Sequence, residues 1–107
     1  MVNRIEQLKV LTTEQPENAF ALFALAKEYE KIGDFQKSIE TFEDLITKQP
    51  TYLGAYYHFG KVLETAEFTE KAQNAYESGI LVAQQQKDIH ALSELKNALQ
   101  NLLMDLL

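Results

Sequence analysis

A tetrapeptide of the form T-x-Q-P occurs twice, as Thr13-Glu14-Gln15-Pro16 and Thr47-Lys48-Gln49-Pro50, with the two prolines 34 residues apart. A fixed period of this length restricts a chain to architectures that stack one supersecondary unit on the next. Sliding residues 19–52 onto 53–86 at the same offset pairs Ala21 with Ala55, Lys27 with Lys61, Glu30 with Glu64, Lys37 with Lys71, Glu43 with Glu77 and Ile46 with Ile80. Elsewhere size is kept although identity is not: Leu22 matches Tyr56, Leu25 matches Phe59, Ala26 matches Gly60, Ser38 matches Ala72 and Phe42 matches Tyr76. The period therefore repeats a structure.

Each unit reads as two helices. Leu22, Leu25, Ala26 and Tyr29 follow the i, i+3, i+4, i+7 spacing of one helical face. Gly33 then suits a left-handed residue at the end of that helix, and Asp34 suits the N-cap of the next. The second helix carries Phe35, Ser38, Ile39, Phe42, Leu45 and Ile46 and stops before Pro50. In the second unit the first helix carries Tyr56, Phe59, Gly60 and Leu63, and the second carries Ala72, Ala75, Tyr76, Gly79 and Ile80. Its linker, Thr65-Ala66-Glu67-Phe68, has no glycine and moves the aromatic one residue relative to Phe35, which leaves that boundary open by a few residues.

A helix remains at each end. Ile5, Leu8 and Leu11 precede Pro16 as Ile39, Phe42 and Leu45 precede Pro50, so residues 3–12 read as the second helix of a unit whose first is missing. Asp88 can cap a final helix with a stripe on Ile89, Leu92, Leu95, Leu99, Leu102, Leu103 and Leu106. The expected organisation is one all-α domain of about six helices over residues 1–107. Residues 1–17 form a half-repeat, 18–52 and 53–86 the two repeats, and 87–107 a capping helix. Four glycines and two prolines are too few for a many-stranded β fold.

Charge and composition narrow the function. A formal charge of −6 opposes binding to nucleic acid or to an anionic membrane, both of which need a basic face. No apolar run approaches the roughly 20 residues of a bilayer span. The start, MVNRIEQLKV, lacks the pattern of a secretory leader. The chain has no cysteine, hence no thiolate metal site or cysteine nucleophile. A cytoplasmic protein without cofactor or metal is expected.

The pattern resembles the tetratricopeptide repeat family, whose 34-residue units are helix–turn–helix hairpins. Leu22, Leu25, Ala26, Tyr29, Gly33, Phe35, Ser38, Phe42 and Pro50 stand where that pattern wants them, with Leu45 off it. The second unit keeps Tyr56, Phe59, Gly60, Leu63, Ala72, Tyr76 and Gly79, and departs at Glu67, Thr69 and Gln84. The layout is similar to small bacterial members. The resemblance implies a short right-handed α-solenoid, with Phe42 and Tyr76 filling the space between successive hairpins. Ala26 with Ser38, and Gly60 with Ala72, would mark the close crossing of the two helices in each hairpin.

It also implies a non-enzymatic module that takes a protein or peptide partner on its concave face. The first-helix residues turned that way would be Phe20, Phe23, Lys27 and Glu30 in one row and Tyr57, Lys61 and Glu64 in the other, with His58 beside the groove. The Lys/Asn pair of the family's carboxylate clamp is absent, because Phe23 and Tyr57 occupy the lysine position and Lys27 and Lys61 the asparagine position.

Two other readings compete with it. Catalysis would have to use His58, His90, Glu64, Glu94 or Asp88, but no ligand or nucleophile spacing connects them. Exposed Lys and Glu on a helix are usually only solvated surface. Self-association is the structural alternative: Leu102, Leu103, Met104 and Leu106 make the last helix apolar around most of its circumference, enough for a homodimer.

Overall fold

The computed structural model describes residues 3–107, so the first two residues of the half-repeat assigned to 1–17 lie outside it. Among the described residues there are six helices and no strand: α1 (Arg4–Glu14), α2 (Ala19–Lys31), α3 (Phe35–Lys48), α4 (Gly54–Thr65), α5 (Thr69–Gln86) and α6 (Ile89–Asp105). They form two compact units, which divide between Tyr52 and Leu53.

The helix starts follow from short polar side chains that bond otherwise unpaired amides. Asn3 accepts from the Glu6 amide, Asn18 from Ala21, Asp34 from Lys37 and Asp88 from Ala91. The two helices that open without such a residue, α4 after Leu53 and α5 after Phe68, have no side-chain cap bond.

The turns repeat bond for bond. After α1 the Gln15 amide reaches the Leu11 carbonyl and the Asn18 amide reaches Gln15; after α3 the Gln49 amide reaches Leu45 and the Tyr52 amide reaches Gln49. Each pair is offset by 34, and each Gln precedes a proline that drives it out of helical conformation. Gln84 stands where a third proline would fall, and α5 accordingly runs on to Gln86.

The tighter turn inside each hairpin needs a residue with positive φ. Gly33 (φ 82°) supplies it between α2 and α3, and Glu67 (φ 67°) supplies it between α4 and α5. The amides of residues 33 and 34 bond the carbonyls of 30 and 29, and those of 67 and 68 bond 64 and 63. The boundary left open by the sequence thus lies in register with the first repeat, and Phe68 takes the capping position of Asp34. A third copy joins α5 to α6, where Lys87 (φ 57°) and Asp88 bond Gln84 and Ala83.

A side chain in the left-handed region costs about 1–2 kcal/mol, and a missing N-cap costs about 1 kcal/mol. The variant Glu67→Gly/Phe68→Asp, which copies Gly33-Asp34, is expected to stabilise the protein by about 1–2 kcal/mol. Differential scanning calorimetry against the unmodified chain checks this.

In unit 1, Leu8 of α1 packs with Leu25 and Tyr29 of α2, and Ile5 and Ala24 border that cluster. The expected close crossing of α2 and α3 is present: Ala26 and Ser38 are fully buried, and the Ser38 hydroxyl donates to the Ala26 carbonyl at 2.8 Å.

In unit 2 the partner of Gly60 is Tyr76. A Cβ on Gly60 would lie 2.1 Å from Cε1 of that ring, which is itself fully buried. Gly79 is also closely approached: its Cβ would lie 2.6 Å from the Tyr56 Cβ and 3.1 Å from the Leu95 methyls of α6.

The single stripe expected on α6 is two. Leu95, Ala98 and Leu102 are buried, whereas Ile89, Leu103 and Leu106 are 81, 42 and 58 % exposed. Around a helix of 3.6 residues per turn Leu95, Ala98 and Leu102 fall within about 60° of one another, and Ile89 and Leu103 point roughly a third of a turn away, whereas Leu106, one turn beyond Leu102, is exposed at the helix end.

Candidate peptide-binding faces

The candidate residues of the first row all lie on α2. Phe20 is 70 % exposed, and Phe23, Lys27 and Glu30 are half-buried. Phe23 is held by two rings of its own unit, with its centroid 6.3 Å from Phe42, edge to face, and 5.8 Å from Tyr52. Edge and tilted arrangements of this kind suit the ring quadrupoles and hold the Phe23 ring in place. The repeat comparison did not find Tyr52, because its partner at the 34-residue offset is Asn18, a capping residue with no aromatic character.

The second row lies on α4, where Tyr57, His58, Lys61 and Glu64 are all half-buried. The Lys61 ammonium sits 5.6 Å over the Tyr57 ring, a cation–π distance, and the His58 ring meets the same tyrosine edge-on at 5.5 Å. The structure therefore draws His58 into the row through Tyr57.

Glu64 is committed to the core, because its carboxylate accepts a hydrogen bond from the Tyr76 hydroxyl. No counterpart of that bond exists in unit 1, where Phe42 replaces Tyr76 and has no hydroxyl. Unit 2 therefore offers a lysine over a ring, and its nearest acid in the row is already engaged.

Burial raises the Tyr76 phenol far above its ordinary value of 10.0, helped by the hydrogen bond to Glu64, the Glu64 charge and the nearby Tyr57. Burial also raises Tyr56. In the unfolded chain both phenols ionise near pH 10. Their contribution is complete below that pH and is lost as the pH climbs above it, because only the unfolded state then releases its protons. Denaturant melts at about pH 9 and about pH 11 should show the Tyr76→Phe variant losing less stability between the two than the unmodified protein.

The other candidates stay apart. His90 is exposed in the first turn of α6, Asp88 caps that helix, and Glu94 is exposed. Among the described residues no three His, Asp or Glu side chains are placed to hold a metal ion, and no helix is long and apolar enough to cross a membrane. On α6, Leu103, Met104 and Leu106 face outward, but Leu102 is buried in unit 2 and drops out of the expected dimer surface.

Repeated helical hairpins with small residues at their crossings, and an aromatic–lysine row on each first helix, define a helical-repeat protein. No family model matches the chain. It is 37 % identical to a tetratricopeptide repeat domain protein of Salinibacter ruber, whose solution structure superposes with a TM-score of 0.76 over 81 % of this chain and 88 % of that one. It is 28 % identical to a TPR repeat-containing protein of Pseudomonas aeruginosa over 98 residues, 92 % of this chain and 93 % of the relative. The TPR2B domain of yeast Sti1, solved as a complex with pHsp70, superposes with a TM-score of 0.87 over 94 % of this chain and 81 % of that one, at 14 % identity, a likeness of fold alone. The chain belongs to the tetratricopeptide repeat family.

Proposed function

We propose that the chain is a non-enzymatic protein-interaction module that binds a partner segment through the first-helix faces of its repeats, 18–52 and 53–86. The observation that carries this reading is the aromatic–lysine row that each unit, taken by itself, leaves on its first helix after packing. Phe20 is largely exposed on α2, and Lys61 stands over a half-buried Tyr57 on α4. A row of this composition suits an extended segment that joins an apolar anchor to a carboxylate. The TPR2B domain of Sti1, which shares the fold, was solved with a bound partner.

Selection of a displayed random-peptide library on the full chain tests the reading. Selected sequences should converge on an apolar residue close to an acidic one. Phe20→Ala combined with Lys61→Ala should weaken the best peptide at least about tenfold, near 1.4 kcal/mol, without moving the melting temperature. A selection that never converges, or peptides that bind the variant as well as the parent, would overturn it.

A further inference from the structure

The fold leaves a second apolar row on α6 only partly covered, with Leu92 and Leu99 half-buried and Ile89, Leu103 and Leu106 exposed. Ile89, Leu92, Lys96, Leu99, Leu103 and Leu106 succeed one another at intervals of 3, 4, 3, 4 and 3, on a face roughly 100° around the helix from the buried row. Met104, 59 % exposed, borders them, and a shallow groove of about 360 Å³ runs along this side of the helix from Lys96 to Leu107. Alternation of three and four is the spacing of a helix that packs knobs into the holes of another helix.

We infer that this row pairs two copies of the chain through α6, with the two helices antiparallel. The seam is its own complement, as an isologous contact requires. Lys96 is the one charged position in it and sets the direction. Parallel helices would set the two ammoniums against each other in a desolvated seam. Antiparallel helices centred between positions 96 and 99 lay the aliphatic stem of Lys96 on the second copy's Leu99, with the ammonium reaching the polar edge beside Gln100.

The contact is small. A helix of 17 residues is about 25 Å long, and pairing two of them buries on the order of 900 Å², below the roughly 1,200 Å² at which stable interfaces begin and within the range of weak, transient ones. Each copy also carries a charge of −6, so the copies repel at low salt. The dimer is accordingly weak, concentration-dependent and strengthened by salt. None of this rests on the peptide reading, which concerns α2 and α4.

Sedimentation equilibrium of the full chain, from micromolar to near-millimolar concentration, should show the mass rising from 12.2 kDa towards twice that value, and at lower concentration when salt is added. Leu103→Glu and Met104→Glu, both at exposed sites, should each raise the dissociation constant at least tenfold while melting like the parent. Val10→Glu, an equally exposed apolar site on α1, should leave the constant unchanged. Lys96→Leu should lower it.

Direction is read separately, which the lack of cysteine makes simple. A mixture of Leu92→Cys and Leu103→Cys chains should crosslink as heterodimers. A mass fixed at 12.2 kDa, or a loss of dimer in Val10→Glu as large as in Leu103→Glu, overturns the interface. Homodimers formed by each cysteine variant alone, as readily as by the mixture, overturn the antiparallel arrangement.

Discussion

Substituting alanine for Gly60 is expected to destabilise the protein by about 2–3 kcal/mol, a fall in melting temperature of roughly 10 °C. The usual expectation for this change is the reverse, since glycine inside a helix costs about 0.5–1 kcal/mol relative to alanine. Gly60 lies well inside α4, yet the new Cβ would stand 2.1 Å from Cε1, and 2.6 Å from Cδ1 and Cζ, of the Tyr76 ring. No surface is open for that ring to move towards, because it is wholly buried, and its hydroxyl is tied to Glu64.

The tether makes the explanation testable beyond a single melting temperature. Tyr76→Phe alone should cost about 1 kcal/mol, because Glu64 is half-buried and can turn to water. Released from Glu64, the ring gains room to slide, so Gly60→Ala/Tyr76→Phe should be less destabilised than the two single changes summed, with a coupling of about 1 kcal/mol. Unit 1 already holds this combination: Ala26 and Phe42 occupy the matching positions, and both are fully buried. Strict additivity in the double-mutant cycle would mean that the hydroxyl does not fix the ring, and the account given for Gly60 would fail.

Gly60 and Tyr76 also show how far the sequence could be read. Their size classes at a 34-residue offset were enough to give the hairpin, its register and the small residue at the crossing. The ring that stands nearest Gly60 was not legible, because the pattern matches Gly60 with Ala26 and Tyr76 with Phe42 by size alone and carries no sign of the Tyr76 hydroxyl bonded to Glu64.

The same limit applies to Glu64 as a binding residue. Periodicity places it in the row with Lys61, whereas its commitment depends on a hydroxyl twelve residues away. Turn chemistry was legible where glycine and aspartate announced it, at Gly33 and Asp34, and illegible at Glu67 and Phe68, where the backbone geometry persists without the residues that favour it. On α6 two rows look like one in the sequence because Ile and Leu recur at helical spacing on both. Which leucines turn inward is decided by Gly79, whose missing side chain admits Leu95.

The second large effect concerns the matching crossing in unit 1. Ala26→Leu should destabilise by about 3 kcal/mol, the upper end for overpacking a core, whereas Lys27→Leu, one residue along the same helix, should change stability by less than about 1 kcal/mol. Ala26 has no exposed surface, and its carbonyl accepts the Ser38 hydroxyl at 2.8 Å, so three added carbons must force α2 and α3 apart and break a buried hydrogen bond. Lys27 is half-buried, so its replacement keeps most of the aliphatic stem's volume and does not force α2 and α3 apart. Ser38→Ala separates the two components: it deletes the hydrogen bond without adding volume and should cost about 1 kcal/mol. If Ala26→Leu costs no more than Ser38→Ala, the crossing has slack, and close approach of the two helices is not what selects a small residue there. Equal melting temperatures for Ala26→Leu and Lys27→Leu would go further, because they would place the inner face of α2 one residue away from where the repeat puts it.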